Sequence, residues 1–470
     1  MPAEITKKLI IIGGGSAAFA AALRASDLGA QVTMINDGLP IGGTCVNVGC
    51  IPSKTLIRAA EAYRRALHHN FSGIEIDRGI VDFQAVVRQK RQLVEDLRQE
   101  KYLNVIEQIP NIQFVEGRGY VVAPDRVTVN GKEFKGDNIL IATGAKPLIA
   151  SMPGLAETGY LTNETVFELE KLPESLIVLG GRYIALECAQ MFARFGSWVT
   201  ILQRSTRILP SEEPDITDSL TSYLREEGIE IATGVTIGLI RKEGNHIVVE
   251  TTMGGAPKIF KADHVLSATG RKANTEGLGL ERVGVELNSH GFLKVDETLK
   301  TSVSNIYGAG DVIGDPMFVY TAAYEGALAA ENALSGSLKV RDYSILPWVI
   351  FTDPQVAGVG LDEAQARQQG IDAEAASLPL SQVPRSLAAH DTRGFIKLIR
   401  DRQTDRLIGA RILAPEGSEL LMEISLALKF GVTAQEIASA FHPYLTLSEG
   451  VKLAAIMFKK DVNRLSCCAS

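Results

Sequence analysis

The sequence predicts an α/β fold, with two Rossmann-like domains followed by a C-terminal α+β domain. Two stretches, residues 8–36 and 175–204, share one pattern: an apolar strand, a glycine turn, an alanine-rich helix and a second strand. From about residue 342 this pattern gives way to short strands and helices, which indicates a separate α+β domain with its own core. The two glycine turns begin 180 − 13 = 167 positions apart. Two such units predict one protein that binds two dinucleotides.

The length and composition of the chain agree with this organisation. At roughly 150 residues per domain, 470 residues correspond to about three domains. A hydrophobic fraction of 46% excludes a disordered chain, and a net charge of 48 − 55 = −7 offers no basic surface for nucleic acid. No apolar stretch approaches the roughly 18 residues that cross a bilayer. We therefore expect a cytoplasmic protein with no nucleic-acid partner and no membrane insertion. Residues 83–107 show helical periodicity and are expected to form a scaffold helix.

The first glycine turn has the small residues that a dinucleotide-binding motif requires. The motif glycines and the small residues around them are Gly13, Gly14, Gly15, Ser16, Ala17 and Ala18. A glycine turn in an unrelated α/β protein is the alternative, whereas a secretory signal starting near Lys7 fits poorly with three consecutive glycines. The next strand ends at Asn36, followed by Asp37, at the point where a carboxylate normally binds ribose hydroxyls. The ribose partner stays open between these two residues.

Cys45 and Cys50 form a candidate redox pair just after this unit. A regular helix separates residues five apart by about 7.5 Å along its axis, beyond the roughly 4.4–6.8 Å between the Cα atoms of a disulfide. The pair can therefore close only if Cys45 precedes the regular helix, with Gly49 supplying the flexibility. Cys50 then lies at a helix N-terminus, which favours its thiolate, and Lys54 shares its face. The alternative is two unrelated buried cysteines.

The segment GGTCVNVGCIPSK resembles the active-site signature of the pyridine nucleotide:disulfide oxidoreductases, a family of flavoproteins. The resemblance extends over almost the whole chain, through the first glycine turn, the ATG segments at 142–144 and 268–270, and residues 308–311. It implies a relay in which a nicotinamide hydride reduces FAD and the flavin then reduces the disulfide. In that relay Cys50 is nearest the flavin, and Cys45 is the interchange thiol.

The same resemblance implies further site residues and the domain boundaries. Lys54 is expected beside the flavin, paired with Glu187, and Asp311 is expected to hold the ribityl chain of FAD. The other residues expected at the bound cofactors are Gly43, Thr44, Gly119, Thr143, Gly144, Gly270 and Val319. The implied domains are 1–150 for FAD, 151–271 for NAD(P)H, 272–341 for the second part of the FAD-binding domain, and 342–470 for dimerisation with a metal-binding tail. We expect a homodimer whose active sites are shared between subunits.

The second glycine turn departs from the motif at one position. The turn residues expected at the nicotinamide cofactor are Gly180, Arg182 and Tyr183. Arg182 stands where another glycine usually lies, so that its side chain crowds a pyrophosphate while its charge helps to neutralise one. The strand that follows has no acidic residue at its end, and Arg204 and Arg207 are placed to meet a 2′-phosphate. We predict NADPH rather than NADH; the alternative is that both arginines are only solvated surface residues.

The C-terminal region argues against a dithiol substrate. Disulfide reductases of this family carry an HPTxSE motif whose histidine is the acid–base group for thiol chemistry. When the segment HPYLTLSE is aligned on Thr446 and Glu449, that histidine falls at Tyr444, and His442 lies two residues earlier. A phenol with a pKa of about 10 is a poor base at neutral pH. We interpret His442 as structural.

The chain ends in a second cysteine pair, Cys467 and Cys468. Adjacent Cα atoms lie about 3.8 Å apart, too close for a relaxed disulfide, whereas a vicinal dithiol suits a soft, thiophilic metal ion. Together with FVY at 318–320, FTDPQVAGVG and PYLTLSEGVKLAA, this tail resembles the mercuric reductases, a branch of the same family. The resemblance implies that the tail captures Hg(II) as its thiol complex and passes it to Cys45 and Cys50 of the partner subunit, where electrons from the flavin release Hg(0).

The same resemblance assigns residues to the metal and leaves alternatives. The expected metal ligands are Cys45, Cys50, Cys467 and Cys468, and the expected active-site tyrosines are Tyr320 and Tyr444. Because the sequence contains no CxxC motif, delivery of the metal is expected to rest on the tail pair or on a separate carrier. Cys188 is interpreted as a core residue. The alternatives are a disulfide reductase similar to dihydrolipoamide dehydrogenase, a flavoprotein that sequesters mercury without catalysis, and a tail whose cysteines are incidental.

Overall fold

The computed structural model describes residues 6–77 and 79–464. The predicted capture pair, Cys467 and Cys468, lies outside these residues. The described residues form two units built on parallel sheets and one unit built on an antiparallel sheet, which confirms the predicted fold class. None of the helices in these ranges is both long and apolar enough to cross a membrane.

The two parallel-sheet units take up most of the chain. Up to residue 147 the elements are β1 (Lys8–Ile12), α1 (Ser16–Asp27), β2 (Gln31–Asn36), α2 (Gly43–Asn47), α3 (Cys50–Leu67), α4 (Phe83–Arg98), a π-helical turn (Gln99–Leu103), α5 (Asn104–Glu107), β3 (Ile112–Glu116), β4 (Tyr120–Ala123), β5 (Arg126–Val129), β6 (Lys132–Lys135), β7 (Asn138–Ile141) and β8 (Ala145–Pro147). Up to residue 267 they are α6 (Leu155–Thr158), α7 (Asn163–Val166), β9 (Ser175–Leu179), α8 (Tyr183–Phe195), β10 (Trp198–Gln203), α9 (Pro214–Glu226), β11 (Glu230–Thr233), β12 (Val235–Glu243), β13 (His246–Met253), β14 (Ala256–Ala262) and β15 (His264–Ser267).

The remaining elements return to the first unit and then build the C-terminal one. Up to residue 335 they are β16 (Arg271–Ala273), β17 (Ile306–Gly308) and α10 (Val319–Ser335), with 3₁₀ turns at Leu280–Val283 and Asp311–Ile313. The C-terminal elements are β18 (Trp348–Ile350), β19 (Gln355–Gly360), α11 (Glu363–Gln368), β20 (Ala373–Pro379), α12 (Pro384–Ala388), β21 (Phe395–Asp401), β22 (Leu407–Ala414), α13 (Leu421–Lys429), α14 (Ala434–Ser439) and α15 (Ser448–Ile456), with 3₁₀ turns at Leu380–Gln382, Gly417–Leu420 and Val462–Arg464.

In both parallel sheets the strand order reverses beside the strand that precedes a glycine turn. The first sheet has the order β17-β7-β1-β2-β3 and the second has the order β11-β10-β9-β15, so the chain leaves β1 and β9 to one side and returns on the other. Both strands are continuous apolar runs with nearly every residue buried, as expected of strands covered on both faces. In such sheets a crevice forms beyond the carboxyl end at the switch point. The two glycine turns therefore lie where ligands bind.

Close packing of α1 against α10 ties the later part of the chain to the first unit. Gly326 of α10 lies so close to α1 that a Cβ on it would come within 2.0 Å of the Ala17 carbonyl oxygen. Gly310 is similarly close, because a Cβ there would lie 3.0 Å from the Ala17 Cβ. These small residues bring Asp311, which follows directly, up to the N-terminus of α1.

The C-terminal unit is an antiparallel sheet of order β18-β19-β22-β21-β20 with helices packed on it. Three smaller antiparallel sheets complete the described residues: β4-β5-β6 and β16-β8 in the first parallel-sheet unit, and β12-β13-β14 in the second. The sequence segment immediately before β19, residues 348–353, runs beside α8 of the second unit. It is therefore a structural link between the C-terminal unit and the rest of the chain.

Candidate active site

The first glycine turn forms a cradle that only glycine allows. Gly13 has φ +140°, and a Cβ there would lie 2.1 Å from the Ala142 carbonyl oxygen. Gly43, at the start of α2, approaches so closely that its own Cβ would lie 2.7 Å from the Gly15 Cα. The N-terminus of α1 therefore opens beside the turn that carries the first cysteine. Backbone amides at a helix N-terminus favour an anionic group such as a pyrophosphate.

Of the two ribose candidates, Asn36 lies against this turn. A Cβ on Gly14 would come within 2.5 Å of the Asn36 Oδ1. The Asn36 amide donates to the Leu39 carbonyl at 2.9 Å, which fixes the orientation of its side chain. The Asp37 carboxylate instead accepts from the Gly38 amide, in an exposed turn.

Asp311 lies in a polar niche beside the same cradle. Burial raises the pKa of Asp311, and the nearby Arg271 guanidinium opposes that increase. The Arg271 Nε lies 3.5 Å from the Asp311 carboxylate but is buried without a hydrogen-bond partner among the described residues. Glu325, also buried, accepts from the Gly310 amide at 2.7 Å and from the Tyr343 hydroxyl at 2.5 Å. Arg271 Nε is thus an unsatisfied donor beside Asp311, and the neighbouring Glu325 carboxylate is held by two hydrogen bonds.

The two cysteines of the redox pair lie on different helices. Cys45 belongs to the short helix α2, and Cys50 is the first residue of α3, so that Cys45 precedes the regular helix as predicted. Gly49 separates them, and a Cβ on it would come within 2.8 Å of the Thr44 carbonyl oxygen. The turn is held from within by Asn47, whose amide donates to the carbonyls of Pro40, Ile41 and Gly43. It is held from outside by Asn163, whose amide donates to the Val48 carbonyl at 3.0 Å.

The two thiols differ strongly in acidity. A hydrogen bond from Cys45 lowers the pKa of Cys50 to about 7, with burial opposing this change and the charge of Lys54 supporting it. The same hydrogen bond, together with burial, raises the pKa of Cys45 far above its ordinary value. Near neutral pH Cys50 is therefore partly a thiolate, whereas Cys45 keeps its proton.

An ion pair connects α3, the helix that begins at Cys50, to α8 of the second parallel-sheet unit. Lys54 Nζ lies 2.6 Å from Glu187 Oε2 on α8. The other carboxylate oxygen of Glu187 accepts from the Phe351 amide at 2.9 Å, and Lys54 Nζ lies 4.6 Å from the centre of the Phe351 ring. The Glu187 side chain is only 8% exposed, so these donors compensate a carboxylate that is nearly removed from water. Phe351 begins the segment FTDPQVAGVG noted above, but nothing in the local sequence predicts its contacts with Glu187 and Lys54.

The second glycine turn has the same backbone constraint as the first. Gly180 has φ +121°, and a Cβ there would lie 2.4 Å from the Ala268 carbonyl oxygen. Arg182 is the exposed N-cap of α8 and makes no side-chain cap. Arg204 and Arg207 follow the end of β10, both accessible to solvent, and Arg207 Nε lies 3.3 Å from the exposed Asp218.

The structure also places the two predicted tyrosines and His442. Tyr320 lies on α10 with its ring stacked on Phe318 at 5.3 Å, and burial together with the negative charge of Cys50 raises the pKa of Tyr320. Tyr444 lies between α14 and α15 of the C-terminal unit with half of its surface exposed. His442 contacts Glu423 through Nε2 at 2.6 Å and the Ala440 carbonyl through Nδ1 at 3.3 Å, so both ring nitrogens are engaged.

Several residues predicted from the sequence lie close together in the structure. Cys45, Cys50, Lys54, Glu187 and Tyr320 are brought together although they come from three separate parts of the chain. Cys188, by contrast, is buried in the core that α8 forms with its neighbours. The arrangement can hold a two-thiol centre in the reduced state with one thiolate, next to a buried ion pair.

Comparison with known proteins identifies the architecture. A sequence model of the family described as pyridine nucleotide-disulphide oxidoreductase matches residues 7–326, and a model of the dimerisation domain of that family matches residues 346–455. The chain belongs to the pyridine nucleotide-disulphide oxidoreductases. It is 42% identical to a mercuric reductase of Staphylococcus aureus over 98% of this chain and 84% of that protein, and 43% identical to a mercuric reductase of Streptomyces lividans over 98% of both.

Solved structures of related proteins have the same fold. The HOCl-induced flavoprotein disulfide reductase RclA from Escherichia coli is 30% identical with a TM-score of 0.85, covering 94% of this chain and 98% of that one. LpdA from Mycobacterium tuberculosis is 28% identical with a TM-score of 0.85, covering 97% and 100%. The chain is thus a flavoprotein disulfide reductase with a Cys45–Cys50 redox pair, and its dimerisation domain indicates a homodimer.

The residues present fit the cofactors of this family, FAD and a pyridine nucleotide. The glycine cradle at the N-terminus of α1 leaves backbone amides open to a pyrophosphate. The unsatisfied Nε of Arg271, beside Asp311, is a donor that the polar chain of a flavin would engage. At the second turn, Gly180 leaves the same opening before α8.

Proposed function

We propose that this protein is a mercury(II) reductase that takes electrons from NADPH. The proposal rests on the position at which disulfide reductases of this family have an acid–base histidine. In this chain Tyr444 occupies that position, and the nearby His442 has both ring nitrogens engaged by Glu423 and Ala440. Relatives named mercuric reductase that match nearly the whole chain at 42–43% identity support the same conclusion.

The thiol pair suits a soft divalent metal. Hg(II) prefers sulfur ligands, and the lowered pKa of Cys50 makes its thiolate available near neutral pH, whereas Cys45 loses its proton as its Hg–S bond forms. When bound, FAD would supply the two-electron step between nicotinamide and metal. The reaction balances as NADPH plus Hg(II) giving NADP⁺, H⁺ and Hg(0), with both Hg–S bonds broken on release. Reduction of the metal needs no proton on a leaving thiol, which fits a site with tyrosines in place of a histidine.

The nucleotide and metal ligands follow from the same proposal. Arg204 and Arg207 bind the 2′-phosphate of NADPH, beyond a strand that ends in Gln203 rather than in a carboxylate. Asn36 and Asp311 bind the ribose and the ribityl chain of FAD. Tyr320 and Tyr444 line the metal site.

Delivery of Hg(II) involves the tail pair. Cys467 and Cys468 of the partner subunit take the metal from its thiol complex and pass it to Cys45 and Cys50 by ligand exchange. Tyr444 lies in the dimerisation domain, and in the homodimer we propose that it lines the active site of the partner subunit.

The test is NADPH oxidation by the FAD-loaded homodimer with Hg(II) in excess thiol, together with measurement of volatile Hg(0). We expect Hg(II) to be turned over faster than oxidised glutathione or lipoamide. Faster turnover of either disulfide would instead favour a disulfide substrate, in keeping with the description of RclA as a flavoprotein disulfide reductase. Because one solved relative is a Cu(II) complex, Cu(II) should be assayed in parallel. Stoichiometric binding of Hg(II) without Hg(0) would indicate a sequestering protein instead.

Variants separate the two cysteine pairs. Cys45→Ala and Cys50→Ala should abolish Hg(0) release, whereas Cys188→Ala, at a buried cysteine of the core, should retain it. Cys467→Ala/Cys468→Ala should lower turnover of Hg(II) in excess thiol while leaving reduction of the flavin by NADPH intact. Unchanged Hg(II) turnover in that double variant would exclude the tail as the capture site.

A further inference from the structure

The connection between β10 and α9, residues 204–213, carries both arginines proposed for the 2′-phosphate and is called here the arginine segment. The Gly234 amide donates to the Ser205 carbonyl at 2.8 Å, and the Leu209 amide donates to the Gly181 carbonyl of the second glycine turn at 2.9 Å. Leu209 is buried and has φ +44°, a left-handed conformation that a leucine rarely adopts. The backbone of the arginine segment is therefore held against the glycine turn, although both arginine side chains are exposed.

The far end of the arginine segment is anchored by a buried lysine of the dimerisation domain. Lys397 of β21 has its Nζ 2.6 Å from Glu213, the last residue of the segment, and 2.6 Å from Asp215 in the first turn of α9. A third carboxylate, Glu363 of α11, lies 3.0 Å away. The Lys397 side chain is only 4% exposed. An ammonium group so far removed from water requires anionic partners, and two of these three belong to the second parallel-sheet unit.

A second buried cation lies beside Lys397. Arg411 of β22 pairs directly with Lys397 of β21, so that both side chains project from the same face of the sheet. Arg411 Nε lies 3.3 Å from the Glu212 carboxylate, and the guanidinium lies 5.7 Å from the centre of the Trp348 ring. Like charges directly opposite each other destabilise a sheet. Glu212 and Glu213, adjacent in the arginine segment, compensate this pair of cations from another part of the chain.

The same anchor acts on α9. This helix begins at Pro214, and its residue Asp218 has an oxygen 3.3 Å from Arg207 Nε. Lys397 therefore bears on the arginines in two ways, through the end of the arginine segment and through the first turn of the helix that pairs with Arg207. An arginine that must be ordered when a phosphate binds loses affinity, and a fixed backbone reduces that loss.

We propose that Lys397 is a positioning residue for the 2′-phosphate of NADPH. By holding Glu213 and Asp215, it keeps the arginine segment in the conformation in which Arg204 and Arg207 meet that phosphate. The inference rests on the proposed NADPH site and is independent of the metal substrate. Because Lys397 acts through the two arginines, its effect should be confined to nucleotides that carry a 2′-phosphate.

Flavin reduction by NADPH and by NADH tests this in the FAD-loaded homodimer without any metal. The absorbance of the flavin gives a half-saturating concentration and a limiting rate for each nucleotide. Lys397→Met should raise the half-saturating concentration of NADPH on the order of three- to tenfold, with little change in the limiting rate and less than about twofold change for NADH. Lys397→Arg retains the charge and should restore the value of the unmodified protein. An equal rise for both nucleotides, or no change in folded Lys397→Met, would overturn the proposal.

Two further variants keep the test decisive. Lys258→Met is the matched control, at an exposed lysine of the second parallel-sheet unit that lies 2.9 Å from Glu230, and should change neither nucleotide. Glu213→Gln removes one partner of Lys397 without removing the cation, and should raise the NADPH value by about two- to fourfold. Should Lys397→Met fail to fold, an unchanged NADPH value in Glu213→Gln would refute the proposal.

A double-variant comparison shows whether Lys397 acts through the arginines. In the Arg204→Ala/Arg207→Ala background, Lys397→Met should change the half-saturating concentration of NADPH by less than about twofold, since the groups that it positions are already gone. The same factor in both backgrounds would contradict the proposal.

Calorimetry with 2′,5′-ADP and 5′-AMP separates this inference from the nucleotide site on which it rests. Tighter binding of 2′,5′-ADP to the unmodified holoenzyme, reduced in Lys397→Met while 5′-AMP binding is kept, would support the proposal. A preference for 2′,5′-ADP that Lys397→Met retains undiminished would refute the role of Lys397 alone. Equal binding of the two compounds by the unmodified holoenzyme would refute the proposed 2′-phosphate site, and this inference with it.

Discussion

Lys54 Nζ lies 2.6 Å from Glu187 Oε2, and this ion pair connects α3, the helix that carries Cys50, to α8 of the second parallel-sheet unit. The Glu187 carboxylate also accepts from the Phe351 amide, so three separate parts of the chain meet at one side chain. A charge that is nearly buried is tolerated because both of its oxygens have partners. The ion pair is therefore part of the scaffold and, at the same time, part of the electrostatics of the thiol pair.

Removal of the Lys54 charge should make Cys50 less acidic. The positive charge helps to hold the pKa of Cys50 at about 7, so Lys54→Met should raise that pKa by about one pH unit. The measurement is the thiolate absorbance of the reduced enzyme against pH, with Cys50→Ser as the blank. Lys54→Arg retains the charge and should keep the midpoint near that of the unmodified protein. An unchanged midpoint in Lys54→Met would show that Lys54 does not act on the thiol.

The hydrogen bond from Cys45 should matter more than the lysine. It is the largest cause of the lowered pKa of Cys50, so Cys45→Ala should move the thiolate midpoint upward from about 7, toward the ordinary thiol value. Cys45→Ser supplies a hydroxyl donor in the same place and should move it less. The sign follows from the chemistry, because loss of a donor to the thiolate destabilises the charged form. Equal shifts in the two variants would show that a hydrogen-bond donor at position 45 is not what lowers the pKa of Cys50.

The sequence was most informative where the backbone itself is constrained. Gly13, Gly180 and the Cys45/Cys50 spacing were recognised because a positive φ, a close approach to a neighbouring strand or a break between helices leaves a local signature. The predicted scaffold helix over 83–107 is confirmed over its full length, with α4 and α5 joined by the π-helical turn Gln99–Leu103. Apolar periodicity does not reveal a single π-helical turn inside a helix.

The residues that support the site were not recognised from the sequence. Phe351 contacts Glu187 across 164 positions of sequence, and Asn163 contacts Val48 across 115. Trp348 and Arg411 likewise come from different strands of the dimerisation domain. Such contacts form only when separately folded parts of the chain pack together. A backbone amide or an asparagine that makes one looks like any other in the sequence.

Gly13, in the first glycine turn, and Gly29, just after α1, provide a matched pair of substitutions that tests FAD binding. Gly13→Ala combines a positive φ with a Cβ 2.1 Å from the Ala142 carbonyl oxygen, so the turn must open. Gly29→Ala has a positive φ of +78° with no atom within 4 Å of the added Cβ, and costs only about 1–2 kcal/mol of backbone strain. Gly13→Ala should be purified with little FAD, and Gly29→Ala with a full complement, as measured by flavin absorbance per protein. Full FAD occupancy in Gly13→Ala would mean that the turn does not hold the cofactor.

Cofactor preference should depend on the arginines after β10. If Arg204 meets the 2′-phosphate, Arg204→Ala should raise the KM for NADPH on the order of ten- to a hundredfold, because a charge-assisted hydrogen bond is lost. The KM for NADH should change little, since NADH lacks that phosphate. Arg241→Ala is the control, an exposed arginine of the same unit that is paired with Glu243 and Glu250 on the sheet β12-β13-β14. Parallel changes for both nucleotides would point to a role in folding rather than in phosphate recognition.

The contact between α8 and the dimerisation domain should also dominate stability, because it contains a buried ionic cluster. Arg194 binds Glu227 through two hydrogen bonds of 2.6 and 2.8 Å and Asp353 through one of 3.0 Å, and the Arg194 and Glu227 side chains are 4% and 5% exposed. Arg194→Met leaves the Glu227 and Asp353 carboxylates to their longer contacts with Arg393, of 3.4 and 3.2 Å, in a site largely closed to water, which should destabilise the protein by about 3 kcal/mol. Scanning calorimetry should show a clear fall of the unfolding temperature, whereas Arg241→Met, at the exposed cluster, should change it little. An unfolding temperature of Arg194→Met equal to that of the unmodified protein would show that this cluster does not stabilise the contact between α8 and the dimerisation domain.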